Sequence, residues 1–97
     1  MATKTVRITA GGAAPDPVRL KLNQDDIDFE NHTPRDCDVR FTGRSPFGRQ
    51  SIPVPASGRE NSGRQQGTQA DERYDYEVIF RTGGQQQSFD PTVIIDR

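Results

Sequence analysis

The sequence predicts an all-β fold: one antiparallel or mixed β-sandwich of about seven strands, built by residues 1–97 as a single domain. Three observations carry that expectation. Apolar residues recur at spacing two rather than at three and four, as half-buried strands require. Nine Gly and seven Pro punctuate the stretches between them and leave little room for helix. At 97 residues the chain is also too short for two cores, because each half would bury too little surface to stand alone.

Taken in order, Val6 and Ile8 alternate in TVRIT, Val18, Leu20 and Leu22 in VRLKL, and Ile27 and Phe29 in DIDFE. Between Leu22 and Ile27 the parity changes, so NQDD is expected to turn or bulge. Val39 and Phe41 follow in DVRF, then Ile52 and Val54 in SIPVP. Pro53 and Pro55 lack amide donors, which puts that strand on a sheet edge or in an extended connection. Residues 56–72 are too polar to build core and are expected to form a long surface loop, with QADER closing it by one helical turn. Tyr74, Tyr76, Val78 and Phe80 alternate in YDYEVIF, with both tyrosines read as core aromatics. VIID, with three successive β-branched residues, fills the core as the last strand, and its deletion is expected to unfold the domain. QQQ at 85–87 is too short to count as low complexity.

Hydrophobic residues make up 30% and charged residues 28% of the chain, and Trp is absent. The core is therefore thin, and stability should be on the order of 5 kcal/mol. A net charge of −1 favours neither nucleic acid nor an anionic membrane. Its distribution is uneven: residues 25–38 carry six acids against Arg35, and residues 40–64 carry five arginines against Glu60. The single cysteine excludes an intrachain disulfide. No stretch approaches the roughly 20 apolar residues of a membrane span, and MATKTVRITAGG has no signal-like apolar run. A soluble, cytoplasmic chain without membrane insertion is the expectation.

Ile27, Phe29 and Asn31 occupy the positions of a V-x-F-x-N strand, while Cys37, Val39 and Phe41 occupy those of H-x-V-x-F. Tyr74 and Tyr76 then match a Y-x-Y pair, and FDPTVIID a closing strand. In these motifs the chain resembles the cupredoxin-like β-sandwich, with immunoglobulin-like sandwiches as the alternative. The resemblance implies a blue-copper site of two imidazoles, a thiolate and a thioether, yet the ligands are missing. Cys37 stands where the first His would be and Val78 where the Cys would be, and GGQQQSFDP supplies neither the second His nor the Met. The implied scaffold is metal-free and carries no cofactor.

Cys37 has acids as sequence neighbours, which raise rather than lower a thiol pKa, and it shares the parity of Val39 and Phe41. It is expected to point inward as a small buried hydrophobe. His32 lies in the polar turn ENHTPRD, where a solvated or turn-bonded imidazole is ordinary. One Cys and one His fall short of a zinc ligand set. Asp25, Asp26, Asp28 and Glu30 lack the spaced ligands and Gly of a calcium loop, and Asp28 and Glu30 face water if Phe29 faces the core. One His supports no convincing Ser/His/Asp arrangement, so the chain is not expected to be an enzyme.

The most informative local chemistry is GRSPFGRQSIPVPASGRENSGRQQG. Arg44, Arg49, Arg59 and Arg64 recur there among Gly, Ser and Gln, with Phe47 between them, a ring that either joins this surface or folds back to cap the sandwich. Arginine pairs bidentately with carboxylates and phosphates, so these five residues are the candidate partner-binding set. Aromatic interleaving is thin for a single-strand binder, and nucleic acid is the less favoured partner. The expected function is a non-enzymatic protein-interaction module that binds another protein or a copy of itself through loops at one end or an open sheet edge. The alternatives are a metal or redox protein with a degenerate site at Cys37 and His32, and RNA binding through the Arg-rich loop.

Overall fold

The structure is a computed structural model that describes residues 2–81 and 91–97. Nine strands are present among them: β1 (Thr3–Thr9), β2 (Gly12–Ala14), β3 (Val18–Lys21), β4 (Asp26–Asn31), β5 (Cys37–Phe41), β6 (Ser51–Val54), β7 (Arg59–Asn61), β8 (Arg73–Phe80) and β9 (Thr92–Asp96). No helix occurs among the described residues. The strands form two sheets, ordered β2-β1-β4-β7 and β3-β9-β8-β5-β6. Both sheets are mixed, because β1 runs parallel to β4 and β3 runs parallel to β9, while every other pair is antiparallel.

Period-two alternation decides which side chains meet between the sheets. Val6 and Ile8, Val18 and Leu20, Ile27 and Phe29, Val39 and Phe41, Ile52 and Val54, and Tyr74 through Phe80 at every second position all turn inward, as does Cys37. Val93 and Ile95 complete the same core cluster. Lys21 carbonyl accepts from the Gln24 and Asp25 amides, and this turn resets the parity between β3 and β4.

Two short strands exceed the seven expected. β2 and β7 are three residues each, GAA and REN, and carry no apolar alternation to betray them. They exist because β1 and β4 offer ladders to pair with. β7 lies inside the stretch 56–72 expected as one loop. The helical turn expected at QADER is absent too. There the Asp71 amide donates to Ile95 O and the Ile95 amide to Glu72 O, which draws the segment against β9; Asp71 takes a positive φ of 69° to do so.

Each sheet edge is short or capped. In the β5–β6 register the Phe41 amide donates to Gln50 O, so the bonded pairs alternate from there and leave Ser51 and Pro53 facing outward. Pro53 thus places its missing N–H on the open side of an edge strand, as expected from SIPVP. On β7 the Asn31 amide to Gly58 O and the Ser62 amide to Ile27 O leave Arg59 and Asn61 outward, and Arg49 occupies the Asn61 carbonyl. On β3 the Lys21 amide donates to Asp25 Oδ2 and its carbonyl accepts from Gln65 Nε2.

Candidate functional site

Strand directions gather the turn 22–25, the loop 42–50 and the loop 62–72 at one end of the sandwich. The loop 42–50 begins where β5 ends and folds back over it. Pro46 precedes Phe47, and Gly48 follows it with φ 70°, a left-handed conformation that costs glycine little. The ring of Phe47 is thereby carried inward onto Phe41, edge to face at 5.9 Å between centroids. Phe47 is 2% exposed. Its place in the expected partner-binding set is therefore corrected: the ring gains more by completing the core than by meeting solvent, and it offers no surface to a partner.

The two loops are fastened to each other. Gln66 N donates to Pro46 O at 2.8 Å, and Arg44 Nη2 donates to Gly67 O at 2.6 Å. Gln50 Nε2 donates to the carbonyls of Phe41 and Gly43. A Cβ at Gly48 would run into the Gln66 side chain, so the loops also touch closely there. Gln65 fastens the second loop to the turn between β3 and β4. Its Nε2 donates to Lys21 O and Asp25 O, each at 2.8 Å, while its Oε1 accepts from Asn23 N and Thr68 Oγ1. Both hydrogens and both lone pairs of that amide are used.

The structure brings three of the four candidate arginines to this end. Arg44 is held on Gly67 O, Arg49 Nη1 donates to Asn61 O at 3.3 Å, and Arg64 lines a cleft of about 160 Å³ with Gln65 and residues 23–26. Arg59 lies at the far end of β7, 3.7 Å from Glu30 Oε2. Charge compensation differs between the groups. Arg19, Arg59, Arg81 and Arg97 each pair with a carboxylate, whereas none of the ion pairs among the described residues involves Arg44, Arg49 or Arg64. Nearby acids are engaged elsewhere: Asp71 by Arg97, Glu72 by the Tyr74 hydroxyl, Asp25 by the Lys21 amide, and Asp26 by Thr3 and Asn61.

The structure does not bring Cys37 and His32 together. Cys37 is 0% exposed within the core, as its parity predicts. Burial and then Asp38 push its thiol up to about 11, with Asp36 adding to the rise and Arg81 opposing it. His32 is exposed, with Nε2 3.0 Å from Glu30 Oε1. The bond from His32, with Arg59 and Arg7 adding to it, holds the Glu30 carboxyl below its usual range against a smaller opposing effect of burial. These residues border an open polar groove of about 290 Å³ with Ser57 and Gly58. No group of three or more His, Cys, Asp or Glu able to hold a metal occurs among the described residues. Of the positions aligned by resemblance with copper ligands, Cys37 faces Phe80 and Val78 faces Val39 across the β5–β8 ladder. Residues 83–90 of GGQQQSFDP, and the QQQ run in it, lie outside the described residues.

Both tyrosines are buried as expected. Tyr74 finds its partner in Glu72 Oε1 at 3.0 Å, whereas the Tyr76 hydroxyl has none among the described residues. Sequence reasoning missed the side-chain amides that organise the loops: Gln50 and Gln65 look like ordinary solvated residues in a Gly-rich run. Asn31 had a readable signal, since Asn two residues before Thr in a polar turn is a common Asx-turn former. Its Oδ1 accepts from Thr33 N and Thr33 Oγ1, and its Nδ2 donates to Arg35 O and Val54 O.

No protein family, no curated protein and no solved structure matches the chain. No helix among the described residues is long and apolar enough to cross a membrane.

Proposed function

We propose that the chain is a non-enzymatic protein-interaction module on a metal-free, cupredoxin-like β-sandwich, and that it meets its partner with the fastened loops 42–50 and 62–72. The observation that carries this reading is the set of three arginines that make no ion pair among the described residues and sit on one pair of mutually bonded loops. Arg44 and Arg49 are held by carbonyl oxygens, which orient a guanidinium without neutralising it. A surface ordered before binding loses less entropy on association than a mobile one. The short or capped edges make strand addition the weaker route to a partner.

The cupredoxin-like reading is supported over an immunoglobulin-like one by the two parallel pairings, since the latter architecture is built from antiparallel sheets. A reactive or metal-binding role for Cys37 is disfavoured by its enclosure and raised pKa, because the thiolate is the reactive form. A free thiol fits a cytoplasmic setting.

The test is chemical cross-linking and capture from the source cell with the wild-type chain, with R44Q/R49Q/R64Q and with R59Q, alongside light scattering for self-association. One partner, or a second copy, is expected to be retained by the wild type and R59Q and lost by the triple variant. Equal retention by all three chains would refute the reading.

A further inference from the structure

We propose that the loop end recognises a carboxylate-rich protein segment, an inference that rests on the interaction-module reading above. Three properties of the surface select this partner. The first is the lack of a direct ion pair: Arg44, Arg49 and Arg64 make none among the described residues, although Asp25 and Asp26 line the same cleft as Arg64. A guanidinium without a direct ion pair is open to an external acceptor, and its planar fork matches a carboxylate.

The second property is separation. Arg44 is anchored at Gly67, Arg49 at Asn61, and Arg64 stands beside the turn 23–26. Two anchored guanidiniums and a third beside a different turn present three single cations rather than one claw closing on a single phosphate. Carboxylates spaced along a polypeptide meet such an array one at a time. The third property is the lack of stacking platforms. Every described aromatic ring, Phe29, Phe41, Phe47, Tyr74, Tyr76 and Phe80, is buried, and single-stranded nucleic acid binders draw much of their affinity from exposed rings. The observations therefore favour an acidic peptide over RNA.

Fluorescence anisotropy with labelled hexaglutamate and with a labelled uridylate oligomer of similar charge, at low ionic strength, tests the assignment, with inorganic phosphate as competitor. Wild type and R59Q are expected to bind hexaglutamate more tightly than the uridylate. R44Q/R49Q/R64Q is expected to lose roughly tenfold in affinity, as three partly exposed ion pairs imply. R64E, which disturbs no side-chain hydrogen bond among the described residues, is expected to weaken binding with an unchanged melting temperature, so the test survives if the triple variant folds poorly. Tighter binding of the uridylate, full displacement by phosphate at concentrations equal in charge, no binding of hexaglutamate, or equal binding by R64E would overturn the proposal. If capture of the cellular partner still depends on the arginines while hexaglutamate fails, only the acidic-segment assignment falls. Capture independent of the arginines removes the underlying reading instead.

Discussion

Tyr76 sits between Phe29 and Phe41, with ring centroids at 5.8 and 5.6 Å, and its hydroxyl has no partner among the described residues. Burial, with the nearby charge of Asp16 adding to it, raises its pKa. A buried donor without an acceptor costs about 1–3 kcal/mol, while the ring itself contributes packing. Tyr76→Phe keeps the ring and removes the cost, so the variant is expected to be more stable by about 1 kcal/mol. Urea unfolding checks this: the midpoint should rise with the slope unchanged, and a fall would mean that the hydroxyl has a partner. Cys37 supports a second expectation, on pH. Its folded pKa of about 11 lies above the ordinary thiol value of 9.0. The unfolded chain thus loses this proton first as pH rises. The stability contributed by the neutral buried thiol is complete below about pH 9 and fades towards 11. Between those limits the stability of the wild type should fall more steeply than that of Cys37→Ala, the tyrosines contributing equally to both. A thiol reagent at pH 8 should react with the native chain only as fast as it opens, and at once in denaturant.

At the scale of the element, side-chain amides hold what strand ladders do not. Asn31 ends β4 on the buried face and closes the turn to β5 through four bonds, so Asn31→Ala leaves buried backbone carbonyls and the Thr33 amide short of partners. We expect a loss of about 2–4 kcal/mol in global stability, measured by urea unfolding. Gln65→Ala breaks as many bonds on a half-exposed loop, where water can replace them. Its effect should be local: faster amide exchange at Asn23, with a smaller change in the midpoint. This contrast also explains what could be read in advance. β1, β3, β4, β5, β6, β8 and β9 announce themselves because alternate side chains must enter the core. β2 and β7 do not, since three residues such as REN become strand only when a neighbour offers a ladder. The stretch 56–72 reads as a plain loop because glutamine has the same sequence signature whether it is solvated or uses all of its hydrogen-bonding capacity. Among the candidate residues, the basic character of Arg44, Arg49 and Arg64 was legible. Phe47 was not, because P-F-G permits a ring to point either way and only the place left beside Phe41 decides.

For the whole molecule, β9 is the element on which closure of the second sheet depends. It lies between β3, its parallel partner, and β8, its antiparallel one. Its pairing joins the two halves of the chain, as the Arg19–Asp96 contact across 77 residues illustrates. Such non-local pairing makes the loop-closure cost of the fold high, so ordering should be slow and all-or-none rather than stepwise. Removing residues 92–97 deletes Val93 and Ile95 from the core and opens β3 and β8 along one side each. Each lost aliphatic side chain costs roughly 2–5 kcal/mol when a buried site is emptied, and the two together, with the lost ladders, match or exceed the order of 5 kcal/mol available to a small domain. The truncated chain is therefore expected to lose its cooperative urea transition and its near-ultraviolet tyrosine signal. A synthetic peptide of residues 91–97 at high concentration should restore part of that signal, because the missing strand has two waiting ladders. A truncated chain that still unfolds in one transition, with the slope of the full-length protein, would show that the sheet closes without its fifth strand.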